Sequence, residues 1–493
     1  MRKYNWKKIF HIILLFLLAS IFIGSIYLKI EYADESIEEF YFYLTNGVGG
    51  TDISVILSAI LYCIIPVLIL FILLVSMFYD IKWFPYKSFI KHKKIISFII
   101  SLLMISISLA NVKFFTFMKN SLTNSNFIKD NYVISNLEFP EKKRNLITIY
   151  VESLETTLFT KEQGGDWDYE VIPELYDLLH DEDAIYFASD DLARGEYNLY
   201  GTTWTTASVV ANSTGLPFKI PIGQNEYHSS NFMNGAYAIG DVLKENGYYN
   251  ELISAARVSF GGIKEFYTNH GNYTLIDKNS LKEFGFKMNK NDKGKWGFND
   301  RFMFEIAKER LLEISKSGEP FNETIIGVDT HFRDGFKGVY TLDKYDTQYE
   351  NVYATESKLI YDFISWCKEQ DFYQDTTIVI IGDHLSMQTQ FFKKHNKNKR
   401  MRYNVILNSV NMTNNNKNRI FTAVDMYPTI LSAMGIKLSN EQMGLGVNLF
   451  SNKPTLAEQY GFIKMSLECS RKSDFYNESI LGDDYQKMLK GDI

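Results

Sequence analysis

Three short runs in this 493-residue chain end on side chains that can hold a metal ion. "NLITIYV" (145–151) is followed by Glu152, "TTIVIIG" (376–382) by Asp383 and His384, and "NETIIGV" (322–328) by Asp329 and His331. Glu152, Asp383 and His384 supply two oxygens and a nitrogen. That mix suits Zn²⁺ or Mn²⁺, and the carboxylates favour Mn²⁺. Three protein ligands leave a position open, as a catalytic ion requires. Such an ion lowers the pKa of a hydroxyl that it holds and so can turn threonine into a nucleophile. Hydroxyls are concentrated in "GTTWTTASVVANSTGLP" (201–217), where they lead directly into a run of small residues that reads as a helix. A helix N-terminus there would present backbone N–H groups and a favourable dipole to a phosphate. One acidic residue after a strand is commonly a cap, and a threonine at this place can be an N-cap. Several such residues gathered on one sheet edge point instead to a site.

The elements that would position these groups read as an α/β domain. Apolar strands at 145–151, 322–328 and 376–382, and another after the helix end and turn at 241–249, alternate with helical patterns at 300–315 and about 343–370. This order implies a mostly parallel sheet covered by helices on both faces. Ligands of such sheets sit beyond the carboxyl ends of the strands, where the candidate residues fall.

The first ~115 residues are of a different kind. Runs at 9–28, 53–79 and 95–112 are long and apolar enough to be read as transmembrane helices. Arg2, Lys3, Lys7 and Lys8 precede the first, and Lys82, Lys87, Lys91, Lys93 and Lys94 separate the second from the third. The first loop is acidic. The positive-inside rule therefore places the N-terminus and second loop in the cytoplasm and everything after about residue 113 outside. The expected organisation is a multi-pass membrane domain (1–115), a juxtamembrane linker (116–143) and an extracytoplasmic catalytic domain (144–493). Residues 113–132 mix Phe with Lys and read equally as a surface-lying segment or a plain linker. A net charge of −6, with no basic stripe outside the membrane flanks, argues against a nucleic-acid partner. Cys63 lies in an apolar run, which leaves Cys367 and Cys469 as the one pair that could bridge.

"NLITIYVES", "TTASVVANSTG", "DTHFRDGF" and "IVIIGDHLSM", with "DMYPTILSAMGI" (425–436) after them, together resemble the sulfatase/alkaline-phosphatase superfamily. The likeness spans about residues 144–450 and is nearest to the membrane phosphoglycerol transferases and lipoteichoic acid synthases. It implies a sulfatase-like fold and one divalent metal held by Glu152, Thr205, Asp383 and His384, with Mn²⁺ favoured and Zn²⁺ or Mg²⁺ as alternatives. Laid on the sulfatase nucleophile segment with Gly215 last, the first position is Thr205, with Thr206 as the rival. Sulfatases require Cys or Ser there, followed by Pro and Arg, which argues against sulfate-ester hydrolysis. His331 resembles the family's substrate-site histidine, and Lys264 or Arg257 would contact the phosphate.

The implied reaction moves phosphoglycerol from phosphatidylglycerol, through a phospho-threonine-type intermediate, to an envelope glucan, glycolipid or polyglycerolphosphate acceptor. A phosphoethanolamine transferase of the same superfamily is the alternative enzyme; three spans and two outer cysteines count against it. A membrane-anchored binding protein with an inactive catalytic fold is the alternative from another class; the intact Glu152, Thr205, Asp383 and His384 set counts against it.

Overall fold

The run 145–151 is rich in β-branched and apolar residues, and it forms the middle strand of a seven-stranded sheet. The computed structural model describes residues 6–31, 57, 60–79, 93–219, 232–393 and 400–482. The chain divides into a helical unit, which runs to Leu122 apart from 42–50, and an α/β unit from Thr123 onward.

In the helical unit, α1 (Trp6–Glu31), α2 (Ile65–Tyr79, entered through a π-turn at Ile60–Ile64) and α3 (Lys93–Asn111) pack through Leu15, Ala19, Val67, Leu74 and Met104. Their other faces expose further apolar residues such as Ile13, Leu17, Ile69 and Leu103. A helix apolar all round is the signature of a lipid-facing span. Trp6–Ile30 and Ile60–Tyr79 are each long and apolar enough to cross a membrane. The third expected span is a bent pair: α3 turns by 59° into α4 (Phe114–Leu122), and the count is three if the pair is one span. Residues 53–56, 58 and 59 of the second expected span lie outside the described residues, as do the flanking Arg2, Lys3, Lys82, Lys87 and Lys91.

The main sheet of the α/β unit contains β1 (Asn145–Val151), β2 (Ala184–Ile185), β3 (Tyr249–Ser254), β4 (Thr274–Ile276), β5 (Phe321–Ile326), β6 (Thr376–Gly382) and β7 (Asn404–Leu407), in the order β2-β7-β6-β1-β5-β3-β4. β6, β1, β5, β3 and β4 are mutually parallel, and β7 runs antiparallel to both its neighbours. Alternation along β1 shows why both faces are covered. Ile147, Ile149 and Val151 join a core with Met303 and Leu311 of α6 (Asp300–Ile314) and with Tyr353 and Phe363 of α7 (Gln348–Lys368). On the opposite face, the Tyr150 hydroxyl interacts with Ser213 of α5 (Thr205–Thr214). Thr377 of β6 reaches the carbonyl of Ala433, the last residue of α8 (Ala423–Ala433), at 3.4 Å. The sequence expectation of a mostly parallel α/β sheet behind apolar N-terminal helices is met.

Residues 123–143, expected as linker, are tied into this unit. Val133 exchanges backbone bonds with Gly444, Leu137–Glu138 pairs with Lys437–Leu438, and Phe127 and Ile128 are buried. Cys367 and Cys469 are separate buried thiols.

Candidate active site and metal centre

Strand register brings the site together. Val151 pairs with Gly382, and Tyr150 with both Ile381 and Ile326, so β1, β6 and β5 end level. The ladder runs on past the strands: the Asp383 amide donates to Val151 O (3.1 Å) and the Gly327 amide to Tyr150 O (3.0 Å). Glu152 and Asp383 thus leave neighbouring strands at the same height. Gly382 is required for this closeness, because a Cβ there would lie 2.0 Å from Leu154 O. Ser153 takes up a left-handed φ of 54°, a strained state for a residue with a side chain. Its amide donates to Asp383 Oδ1 (2.7 Å) and its hydroxyl to Glu152 Oε1 (2.6 Å).

Glu152, Asp383 and His384 are all buried, and each offers a ligand atom within 4.8 Å of the others'. The free atoms converge. Asp383 Oδ1 accepts the amides of Ser153 and His384, which leaves Oδ2 for an ion. His384 Nδ1 lies 2.9 Å from Leu385 O, so this nitrogen carries the proton and Nε2 faces the carboxylates, 3.3 Å from Glu152 Oε1 and 3.4 Å from Asp383 Oδ2. An outer hydrogen bond that sets the tautomer is what metal-binding histidines use. The charge distribution agrees. Burial and the Glu152 carboxylate push Asp383 up to about 7. Burial works against the charged form of His384, yet Asp383 and Glu152 push it up to about 10. Burial would likewise raise Glu152, but the charge of His384 and side-chain bonds from His384 and Ser153 hold it down at about 2. Two buried carboxylates with this demand for positive charge fit a divalent ion.

Thr205 opens α5 as its first helical residue. The N-cap is Trp204, whose side chain makes no capping bond. Thr205 is therefore not itself the cap, and its Oγ1 points at Glu152 Oε2, 3.5 Å away. The rival, Thr206, is buried and donates to Gly261 O at 2.7 Å, so its hydroxyl holds a loop. His331 follows β5 and lines one small cavity of about 70 Å³ with Glu152, Thr205 and His384. Its Nδ1 lies 2.7 Å from Phe332 O, and burial lowers its pKa, so the ring is neutral with Nε2 as an acceptor. Of the two candidate cations, Arg257 lines this cavity, whereas Lys264 is exposed and does not. Larger open depressions of about 600 and 720 Å³ lie elsewhere, the second at the amino ends of β1, β5 and β6, and neither contains such a cluster.

Two functional candidates escaped the sequence reading. Trp296 stands in the cavity wall, 4.8 Å from the His331 ring, and its buried indole N–H has no hydrogen-bond partner among the described residues. Its only local signal is its place three residues before Asn299, which caps α6. Arg402, fully buried just before β7, donates to Asp383 O (2.5 Å), to Ser208 Oγ one turn into α5 (3.0 Å) and to Thr202 O (3.4 Å), and it pairs with buried Glu196. It joins the ligand loop to the threonine helix. Nothing in "RMRYNVIL" marks it as different from a surface arginine.

Comparison with known proteins agrees with this geometry. Residues 196–436 match the sulfatase family model. Phosphoglycerol transferase I of Escherichia coli (strain SMS-3-5 / SECEC) is 32% identical over 269 residues, which cover 53% of this chain and 33% of that protein. The match thus spans a third of the length of the curated relative. Among solved structures, the integral membrane lipooligosaccharide phosphoethanolamine transferase A (EptA) of Neisseria meningitidis has a TM-score of 0.51 at 12% identity, covering 89% of this chain and 88% of that one. It shows a shared fold. The lipoteichoic acid synthase LtaP of Listeria monocytogenes gives a TM-score of 0.47 at 19% identity, covering 66% and 80%.

Proposed function

We propose, for a chain that carries a sulfatase-superfamily domain behind apolar N-terminal helices, that it is a multi-pass enzyme of the cytoplasmic membrane that transfers phosphoglycerol on the extracytoplasmic side. The observation that carries the reading is Thr205 Oγ1 at the first position of α5, aimed at a buried Glu152, Asp383 and His384 cluster. The 32% identity to a phosphoglycerol transferase supports the choice of head group.

Glu152, Asp383, His384 and Thr205 would hold one divalent ion, Mn²⁺ in preference to Zn²⁺ or Mg²⁺. When bound, the ion supplies Lewis acidity to the threonine oxygen and to the phosphate. The chain's own groups do the rest. The amides of the first turn of α5 receive the phosphate's negative charge, with Arg257 at the cavity edge. Thr205 Oγ forms a bond to phosphorus as the bond to the diacylglycerol oxygen breaks. His331 Nε2 takes the threonine proton and passes it to that departing oxygen. An acceptor hydroxyl then attacks the phosphothreonine; His331 takes its proton and returns it to Thr205. Two displacements replace one, so the kinetics are ping-pong.

Membranes containing the full chain, given phosphatidylglycerol labelled in the glycerol head group, should accumulate label in an envelope glycan, glycolipid or polymer. Phosphatidylethanolamine labelled in its head group should give none. Transfer from the ethanolamine lipid alone would replace this reading with the alternative transferase.

A further inference from the structure

The α/β unit carries an apolar face outside the site. The short helix Leu456–Tyr460 turns at Gly461 into helix Phe462–Ser470. Met465 and Cys469 of the second helix are buried, while Tyr460, Ile463 and Leu467 are 41%, 82% and 43% exposed. Ile463 and Leu467 are four residues apart and so share one side of the helix. Lys464 is exposed beside them, with its ammonium 5.3 Å from the Tyr460 ring. Phe127 packs on that ring at 5.3 Å. Two nearby acids are engaged, Glu468 by Arg471 (2.6 Å) and Ser125 (2.7 Å), and Asp474 by Lys472 (2.6 Å), while Asp130 of the helix that carries Phe127 is exposed. The face is thus apolar with an exposed lysine beside it, as on an interfacial helix.

Two attachments say what covers it. First, the face is built on the chain that directly follows the apolar helices. Ser125 donates through its amide to Lys472 O (2.8 Å), and Thr123 follows the last residue of α4. Phe127 follows the last residue of α4 by five positions along the chain. Second, the same helix supports the segment leading to Thr205. Phe462 packs on Tyr197 at 4.9 Å, the Tyr200 amide donates to Ser466 Oγ (3.3 Å), and Lys219 Nζ donates to Arg471 O (2.7 Å).

We propose that Tyr460, Ile463 and Leu467, flanked by Lys464, rest in the headgroup layer of an anionic bilayer and so hold the threonine segment at the lipid surface. This deepens the proposed reaction and rests on it for the lipid donor alone; the contact with lipid stands by itself.

The full chain is placed in phosphatidylglycerol-containing nanodiscs with a polarity-sensitive fluorophore on Ile463→Cys, in a Cys63→Ala background that leaves only the buried Cys367 and Cys469. The reference label is on Val339→Cys, a position 80% exposed. Quenching by lipids spin-labelled near the headgroup should be strong at position 463 and absent at 339, with aqueous iodide showing the reverse, and the contrast should weaken in neutral lipid. Iodide quenching at 463 equal to that at 339 would overturn the proposal. So would protection from iodide without lipid quenching, which would indicate a second copy or a protein partner. Ile463→Asp with Leu467→Asp should lower transfer from vesicle phosphatidylglycerol severalfold and leave hydrolysis of a soluble phosphodiester unchanged. Equal loss of both would mean that the face supports the fold instead. A chain inactive on every substrate but still quenched by lipid would overturn the reaction and spare the docking.

Discussion

Thr205 and Thr206 are adjacent and chemically identical, and their surroundings separate them. One hydroxyl is spent on Gly261 O, whereas the other is directed at the buried Glu152 carboxylate. The candidate ligand residues stand out in the sequence because each stands at the end of a strong strand pattern. Trp296 does not, because the value of its indole N–H depends on neighbours that come from other elements. The ring lines the cavity, and its buried N–H is unpartnered among the described residues. We expect Trp296→Phe to keep the ring packing on His331 while removing one substrate hydrogen bond worth about 0.5–1.5 kcal/mol. kcat/KM should fall roughly 2- to 12-fold, as that energy implies, with the melting temperature nearly unchanged. Unaltered steady-state kinetics would mean that the indole N–H meets no substrate.

At the scale of elements, the fold was readable where periodicity is strong. β1 and β6 run over the residues expected, and α6 ends one residue early. The antiparallel β7 was not anticipated. Its four residues are too few to show a period, and its partner β2 has only two. Yet β7 delivers Arg402, whose buried pair with Glu196 holds α5 against the Asp383 loop. Burial pushes Glu196 up to about 7 even with the guanidinium beside it. Arg402→Met leaves that carboxyl alone and should destabilise the domain by about 3–5 kcal/mol. The double change with Glu196→Met should recover much of the loss. Chemical denaturation of the three proteins would measure this, and equal losses in single and double variants would contradict it.

A second buried group lies under the loop that carries His331. Asp300 accepts the amides of Val328 (2.9 Å) and Asp329 (2.8 Å), and Glu356 is buried beside both acids. Burial, with Asp329 adding to it, pushes Glu356 up to about 8 from an ordinary value of 4.5. The folded state therefore binds more protons than the unfolded state between these values. This contribution to stability is present below pH 4.5 and is lost as pH rises through 8. Glu356→Gln removes the titration. Melting curves from pH 4.5 to 8.5 should show the parent losing stability relative to the Gln variant as pH rises. A constant difference would mean that Glu356 titrates normally.

For the whole molecule, the boundary between helical and α/β units is where sequence reading was least informative. The stretch 116–143 has linker-like composition, but its second part makes β-pairs and buries Phe127 and Ile128. Those partners lie some 300 residues away, and no local pattern announces them. A fragment beginning at Thr123 should therefore fold and melt well above one beginning at Asn145. Equal melting temperatures would show that residues 123–144 contribute nothing to the unit.

The central claim is that Thr205 carries the phosphoglycerol. The most direct measurement is intact-mass analysis, with peptide mapping, of full-length enzyme stopped in acid during turnover on phosphatidylglycerol. The expected result is one phosphoglycerol adduct on Thr205, absent in Thr205→Ala and retained in Thr206→Ala, with turnover of Thr205→Ala reduced by several powers of ten. An adduct on Thr206, or full turnover by Thr205→Ala with no adduct at all, would contradict it.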